Sequence, residues 1–145
     1  MALLDWLRKR MAGDRTARLE ISKDEESLSG LNLKDALDAH MAWNERLKNE
    51  LDNHPSDISV AEIAQDNLCT LGKWIYGPGK SLYAKLPEYE ELRKTHARFH
   101  LCAGEIVSEH HANHSDKARQ MLNGEFLNLS ERLELDLVRL FTAAR

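Results

Sequence analysis

The sequence predicts an all-α fold, an antiparallel four-helix bundle preceded by a short N-terminal amphipathic helix, and three observations carry that prediction. Only three prolines and seven glycines punctuate 145 residues. Apolar residues recur at helical spacing over long stretches. Strand-like alternation is absent, as are internal repeats and low-complexity segments.

In MALLDWLRKRM, residues Leu3, Leu4, Trp6, Leu7 and Met11 lie beside Arg8, Lys9 and Arg10. The segment is too short for a membrane span, and its apolar residues precede its basic ones, the reverse of a signal peptide. With the polar stretch that follows it forms residues 1–30, expected as a helix on a mobile tether outside the core; residues 31–145 form the bundle. From Leu33 to Leu51 the residues Leu33, Ala36, Leu37, His40, Met41, Leu47 and Leu51 make one stripe, with Asn32 as the cap. A second helix opens at Ser59 with Glu62 in S-x-x-E spacing and runs to about Tyr76. Pro87 opens a third, expected to reach Asn113, with Leu92, Phe99, Leu101, Ala103, Ile106 and Val107 on its apolar positions. The fourth starts near Ser115 and bends at Asn123-Gly124, because Met121, Leu122, Phe126, Leu129, Leu133 and Leu137 stay in phase across that pair.

The net charge is -4, with 20 basic and 24 acidic residues intermixed, so the footprint of a nucleic-acid binder is missing. Two cysteines and no secretory signal fit a reducing cytoplasm. The stretch CTLGKWIYGPGKS ends like a phosphate-binding loop, but Trp74 stands where the first glycine of that loop belongs, and a helix precedes it instead of a strand. GPG is therefore read as punctuation that stops a helix and starts a turn.

Histidine is the more telling residue. His96 and His100 stand at i, i+4, about 40° apart around a helix, so their rings can converge on one ion. His40 lies within the apolar stripe of its own helix. Cys69 lies on the next helix, with Gly72 leaving room for a neighbour to approach. Together they would make a closed set of three nitrogens and one sulfur, suited to Zn²⁺. Hydrogen-bonded core histidines are the alternative, and the residues alone leave both open. Cys102 points about 200° away from His100 and reads as a small core residue. His110 and His114 lie about 15 and 21 Å beyond His100 and, with His111, form a solvated helix end able at most to bind a second ion weakly. His54, before Pro55, is expected on a surface turn.

At these positions the chain resembles the chemoreceptor zinc-binding (CZB) family of bacterial signalling proteins. The resemblance rests on DAHMAWNERL, on CTLGKWIYGPG and on HARFH, with 29 residues from His40 to Cys69 and 27 from Cys69 to His96, and extends over about residues 31–144. It implies that His40, Cys69, His96 and His100 are zinc ligands, that Gly72 and Trp74 shape the site, and that Cys69 can sense oxidants. It also implies a homodimer that acts in a chemoreceptor or diguanylate cyclase pathway. The length leaves no room for such an effector, and the start at Met1 suggests a stand-alone member. A filled four-ligand site argues against an enzyme. Two alternatives compete with this reading: a di-iron bundle, which wants Glu-x-x-His spacing where this chain has Arg93 and Ala97, and a purely structural dimerisation bundle. Residues 1–12 are expected to dock on protein in preference to an anionic membrane surface.

Overall fold

The computed structural model describes residues 2–52 and 58–145, so Met1, His54 and Pro55 lie outside the described residues. The order is α1 (Ala2–Met11), β1 (Ser27–Leu28), β2 (Leu31–Asn32), α2 (Leu33–Asp52), α3 (Val60–Ile63), α4 (Thr70–Tyr76), α5 (Pro78–Tyr83), α6 (Pro87–His111), α7 (Ser115–Met121), a π-helical segment (Leu122–Phe126) and α8 (Leu127–Ala143). Most described residues are helical, and the class is all-α. No helix among them is long and apolar enough to cross a membrane.

The long helix α6 is the hub, packed against α2, α3, α7 and α8, with α2 also on α8. It starts where Pro87 occupies the first turn, a place where the missing N–H costs nothing. At the head of α2, Asn32 Oδ1 accepts the Asp35 N–H at 2.9 Å, the cap expected there. Phe99, Phe126, Leu133, Leu137 and Phe141 are fully buried in the common core. Cys102 is buried among them as expected, whereas Leu101 is 54% exposed and faces away from the core.

Four expectations are corrected. The helix read from Ser59 to Tyr76 is two pieces: α3 ends at Ile63, and α4 starts only after Cys69. Ser59 does cap α3, accepting the Glu62 N–H at 3.3 Å, but the apolar spacing through Ala64 and Leu68 continues across a break, and Leu68 is 48% exposed. The GPG segment joins two helices, with Pro78 opening α5 and Gly79 so close to the Trp74 ring that a Cβ there would lie 2.8 Å from Cζ3. In place of a simple bend, Leu122–Phe126 takes a π-helical turn, which absorbs one extra residue while keeping the helix continuous. Finally, the N-terminal segment is not outside the core: α1 packs on α8, and Leu3 and Trp6 are buried in the same cluster as the long helices. A two-residue antiparallel ladder, Ser27 with Asn32 and Leu28 with Leu31, follows it.

Candidate metal centre

Cys69 is the N-cap of α4, and its Sγ accepts the Gly72 N–H at 3.3 Å. The chain folds this way because Gly72 has no side chain: a Cβ there would lie 1.8 Å from the carbonyl oxygen of Asp66. Gly72 thus makes room for the Asp66–Asn67 backbone of the loop before α4, where the sequence reading expected a neighbouring helix. Tyr76 reaches back to the Asp66 carboxylate and fastens the same loop.

His96 and His100 lie one turn apart on α6, and His40 comes from α2. All three rings are buried, at 0% exposure for His96, 3% for His40 and 4% for His100. Their Nε2 atoms meet: His40 to His96 is 3.1 Å and His96 to His100 is 3.2 Å. Cys69 Sγ lies 3.6 Å from His40 Nε2, 3.3 Å from His96 Nε2 and 3.6 Å from His100 Nε2. No two of the four donor atoms are more than 4.8 Å apart.

Two backbone carbonyls set the tautomers. His40 Nδ1–H donates to the Ala36 carbonyl at 2.8 Å, and His100 Nδ1–H donates to the Ile63 carbonyl at 2.9 Å. A carbonyl can only accept, so each of these neutral rings must carry its proton on Nδ1 and turn a bare Nε2 lone pair into the cluster. Ile63 is the last residue of α3, and its carbonyl belongs to the last turn, which lacks helical partners. It reaches α6 because Gly104 lets the α3 end close in: a Cβ on Gly104 would lie 2.9 Å from that of Ala64. His96 Nδ1 is buried with no hydrogen-bond partner.

Hydrogen bonds among the rings alone cannot satisfy this arrangement, and in the absence of a cation the Cys69 thiol must supply the second proton. With the His40 and His100 nitrogens both committed as acceptors, His96 has one ring proton to offer and two neighbours to serve. A cation would accept all three Nε2 lone pairs and the sulfur at once, leaving the His96 proton on its unpartnered Nδ1. In a tetrahedron with Zn–N of about 2.05 Å and Zn–S of about 2.3 Å, adjacent nitrogens are about 3.3 Å apart and nitrogen and sulfur about 3.6 Å. Five of the six separations match that figure to within a few tenths of an ångström, and the sixth, between His40 and His100, is within 4.8 Å.

Electrostatics favour the neutral imidazoles a metal requires. Burial pushes His40 down to about 4, partly opposed by its bond to Ala36, and pushes His96 down to about 2, with His100 and His40 adding to the effect. His100 is lowered by burial against the opposing Ile63 bond. Burial raises the Cys69 thiol, and the Gly72 and Leu71 amides only partly offset it. In the absence of a cation the sulfur therefore keeps its proton. Cys69 is the most accessible of the four, at a surface cleft bordered by Trp43, Arg46, Glu62, Leu68 and His100.

All four sequence candidates come together. Trp74 does so only indirectly: its indole N–H donates to the Ser29 carbonyl at 3.0 Å, and its ring lies near Tyr83, so it fixes the far end of α4. The sequence reading missed the Ala36 and Ile63 carbonyls, and also Phe99, whose ring centroid lies 5.4 Å from that of His40 and 5.6 Å from that of His100. His110 is corrected too: it is buried and hydrogen-bonded to Ser115 Oγ at 3.1 Å, while His111 and His114 are exposed and His114 pairs with Glu109. No metal-ready cluster forms there among the described residues.

Comparison with curated proteins and with solved structures gave no match. Residues 40–107 match the family model of the chemoreceptor zinc-binding domain, a span that begins at His40 and contains Cys69, His96 and His100. With that match and a buried three-histidine, one-cysteine cluster positioned for Zn²⁺, residues 40–107 of the chain belong to the chemoreceptor zinc-binding domain family.

Proposed function

We propose that His40, Cys69, His96 and His100 bind one Zn²⁺ and that the chain is a regulatory sensor of zinc and of oxidants. The observation that carries the reading is the pair of Nδ1–carbonyl bonds, which commit His40 and His100 to presenting Nε2 lone pairs at Cys69. Bound zinc would supply a cross-link and hold the sulfur as a thiolate. His40 belongs to α2, Cys69 to the head of α4, and His96 and His100 to α6, so occupancy bears on the relative placement of all three. The antiparallel four-helix arrangement of residues 31–145, with residues 1–30 as an N-terminal amphipathic helix and tether docked on it, is part of this proposal.

Cys69 is the oxidant-sensing residue. In the peroxide reaction its thiolate sulfur takes one oxygen, the O–O bond breaks, and water leaves with the other oxygen. The sulfenate is a poorer ligand, which loosens the head of α4. We assign the output to a bacterial chemotaxis or cyclic di-GMP pathway, through a cytoplasmic homodimer that acts on a protein partner. Nucleic acid is not among the partners, and catalysis is not part of the role. A di-iron alternative would need carboxylates, and the cluster contains none among the described residues.

Elemental analysis of protein purified without added metal tests the reading. About one zinc per chain is expected, falling sharply in Cys69→Ala; full occupancy in that variant would remove Cys69 from the site. A strong chelator should lower thermal stability, and an unchanged melting point would favour a purely structural bundle.

A further inference from the structure

Ser29 has φ 49° and Gly30 has φ 89°, the two left-handed residues that close the hairpin between β1 and β2. A residue with a side chain seldom adopts that conformation. Here it is held from outside. Trp74 Nε1–H donates to the Ser29 carbonyl at 3.0 Å, and Ser29 Oγ shares a 2.6 Å hydrogen bond with the Tyr83 hydroxyl. Trp74 is on α4, the helix capped by Cys69, so the hairpin tip is tied to the cysteine's helix.

The segment just before this hairpin holds α1. Glu25 is 1% exposed, and its Oε1 accepts the Leu3 N–H at 3.4 Å and the Ser22 hydroxyl at 2.5 Å. A carboxylate at the first turn of a helix meets one of its free donors and faces the positive end of its dipole. Oε2 of the same carboxylate is buried without a partner, so the dock carries an unmet desolvation cost. Farther along α1, Trp6 donates to the Ala17 carbonyl at 3.2 Å, and Arg10 pairs with Glu134 of α8 at 3.4 Å. A ten-residue helix is marginal by itself, so α1 depends on these contacts.

We propose that α1 is a clasp: its docking on α8 is coupled to the Cys69 helix through the Trp74–Ser29 contact, and its release uncovers Leu3, Trp6 and the part of α8 beneath them. This rests on the zinc reading above. The two ends of the coupling lie five positions apart on one short helix, Cys69 at its cap and Trp74 in its second turn. Losing the hold on Cys69 frees the first turn of α4, which shifts the Trp74 indole away from a hairpin that is strained without it. Glu25 then loses its position at the head of α1.

Hydrogen–deuterium exchange of the full chain, with zinc measured on the same sample, tests this. Chelation should speed exchange in residues 2–11 by about fivefold or more, while the centre of α6 stays protected. Trp74→Phe keeps an apolar ring and removes the N–H; α1 should then exchange fast with or without chelator. Linkage demands a reciprocal effect: Leu3→Ala, or Arg10→Ala where the first fails to fold, must weaken zinc binding by the factor by which it loosens the zinc-dependent dock. A zinc-loaded chain whose α1 protection survives chelation unchanged overturns the clasp and leaves the metal site standing. A chain with no zinc to remove overturns the metal reading and the clasp with it.

Discussion

Gly72→Ala places one methyl group where the backbone leaves no room for it. The added carbon would sit 1.8 Å from the Asp66 carbonyl oxygen and 3.1 Å from Asn67 Cα, and both are main-chain atoms that cannot rotate aside. Either the Asp66–Asn67 loop or the first turn of α4 must retreat by about 1 Å, in a packed region where smaller changes are already felt. That turn carries Cys69 three residues back, with its Sγ bonded to the N–H of the substituted residue. A metal site tolerates donor displacements of only about 0.2 Å, so a 1 Å shift weakens it, by about 10- to 100-fold in zinc affinity. The assay is competition against a chromophoric chelator, with thermal melts of the zinc-loaded and chelated forms. Gly124→Ala is the control: a Cβ there meets nothing within 4 Å, and the glycine lies within a continuous helical run, so the change should leave zinc affinity alone and stabilise by up to about 1 kcal/mol. Equal zinc affinity in Gly72→Ala and wild type would refute the steric reasoning.

Acidification should destabilise the chelated protein. His40 at about 4 and His96 at about 2 bind fewer protons folded than unfolded, so stability is present above the ordinary histidine value of about 6.5 and is lost as pH falls from there towards 4. Moving from pH 7 to pH 5 should cost about 2 kcal/mol for each of these two histidines, read from urea unfolding of the chelated form; a flat profile would contradict the burial argument. Thiol labelling should separate the cysteines: Cys102 is 3% exposed and pushed up to about 12 by burial, so after chelation an alkylating reagent or peroxide should modify Cys69 well before it. Equal rates would contradict the difference in accessibility between the two thiols. Phe99→Ala removes a fully buried ring that packs on His40, His100 and Phe126 and should cost about 3–5 kcal/mol in denaturant unfolding; a loss below 1 kcal/mol would remove Phe99 from the structural support of the site.

The cluster was legible because its donors are side chains with restrictive chemistry. An i, i+4 histidine pair, a histidine in an apolar stripe and a cysteine near glycine limit what can sit together. What orients them was not legible, because Ala36 and Ile63 act through carbonyls that every residue owns. The break between α3 and α4 was hidden for a different reason: Ile63, Ala64, Leu68, Leu71 and Ile75 keep helical spacing across it. Asp66-Asn67, a pair that favours turns, and Gly72 three residues after Cys69 were the available signals, and their meaning depends on a backbone approach that only the fold supplies. At the N-terminus the amphipathic pattern of Leu3, Trp6 and Leu7 announced a helix with one apolar face. It did not announce the occupant of that face, since the α8 stripe that receives it also serves α2 and α6.

X-ray absorption at the zinc edge, on protein purified without added metal, reads the identity of the donors. One sulfur at about 2.3 Å and three nitrogens at about 2.0 Å are expected, with the sulfur scatterer absent in Cys69→Ser. A shell of nitrogen and oxygen alone in the wild-type protein would mean that Cys69 and the three histidines do not share an ion.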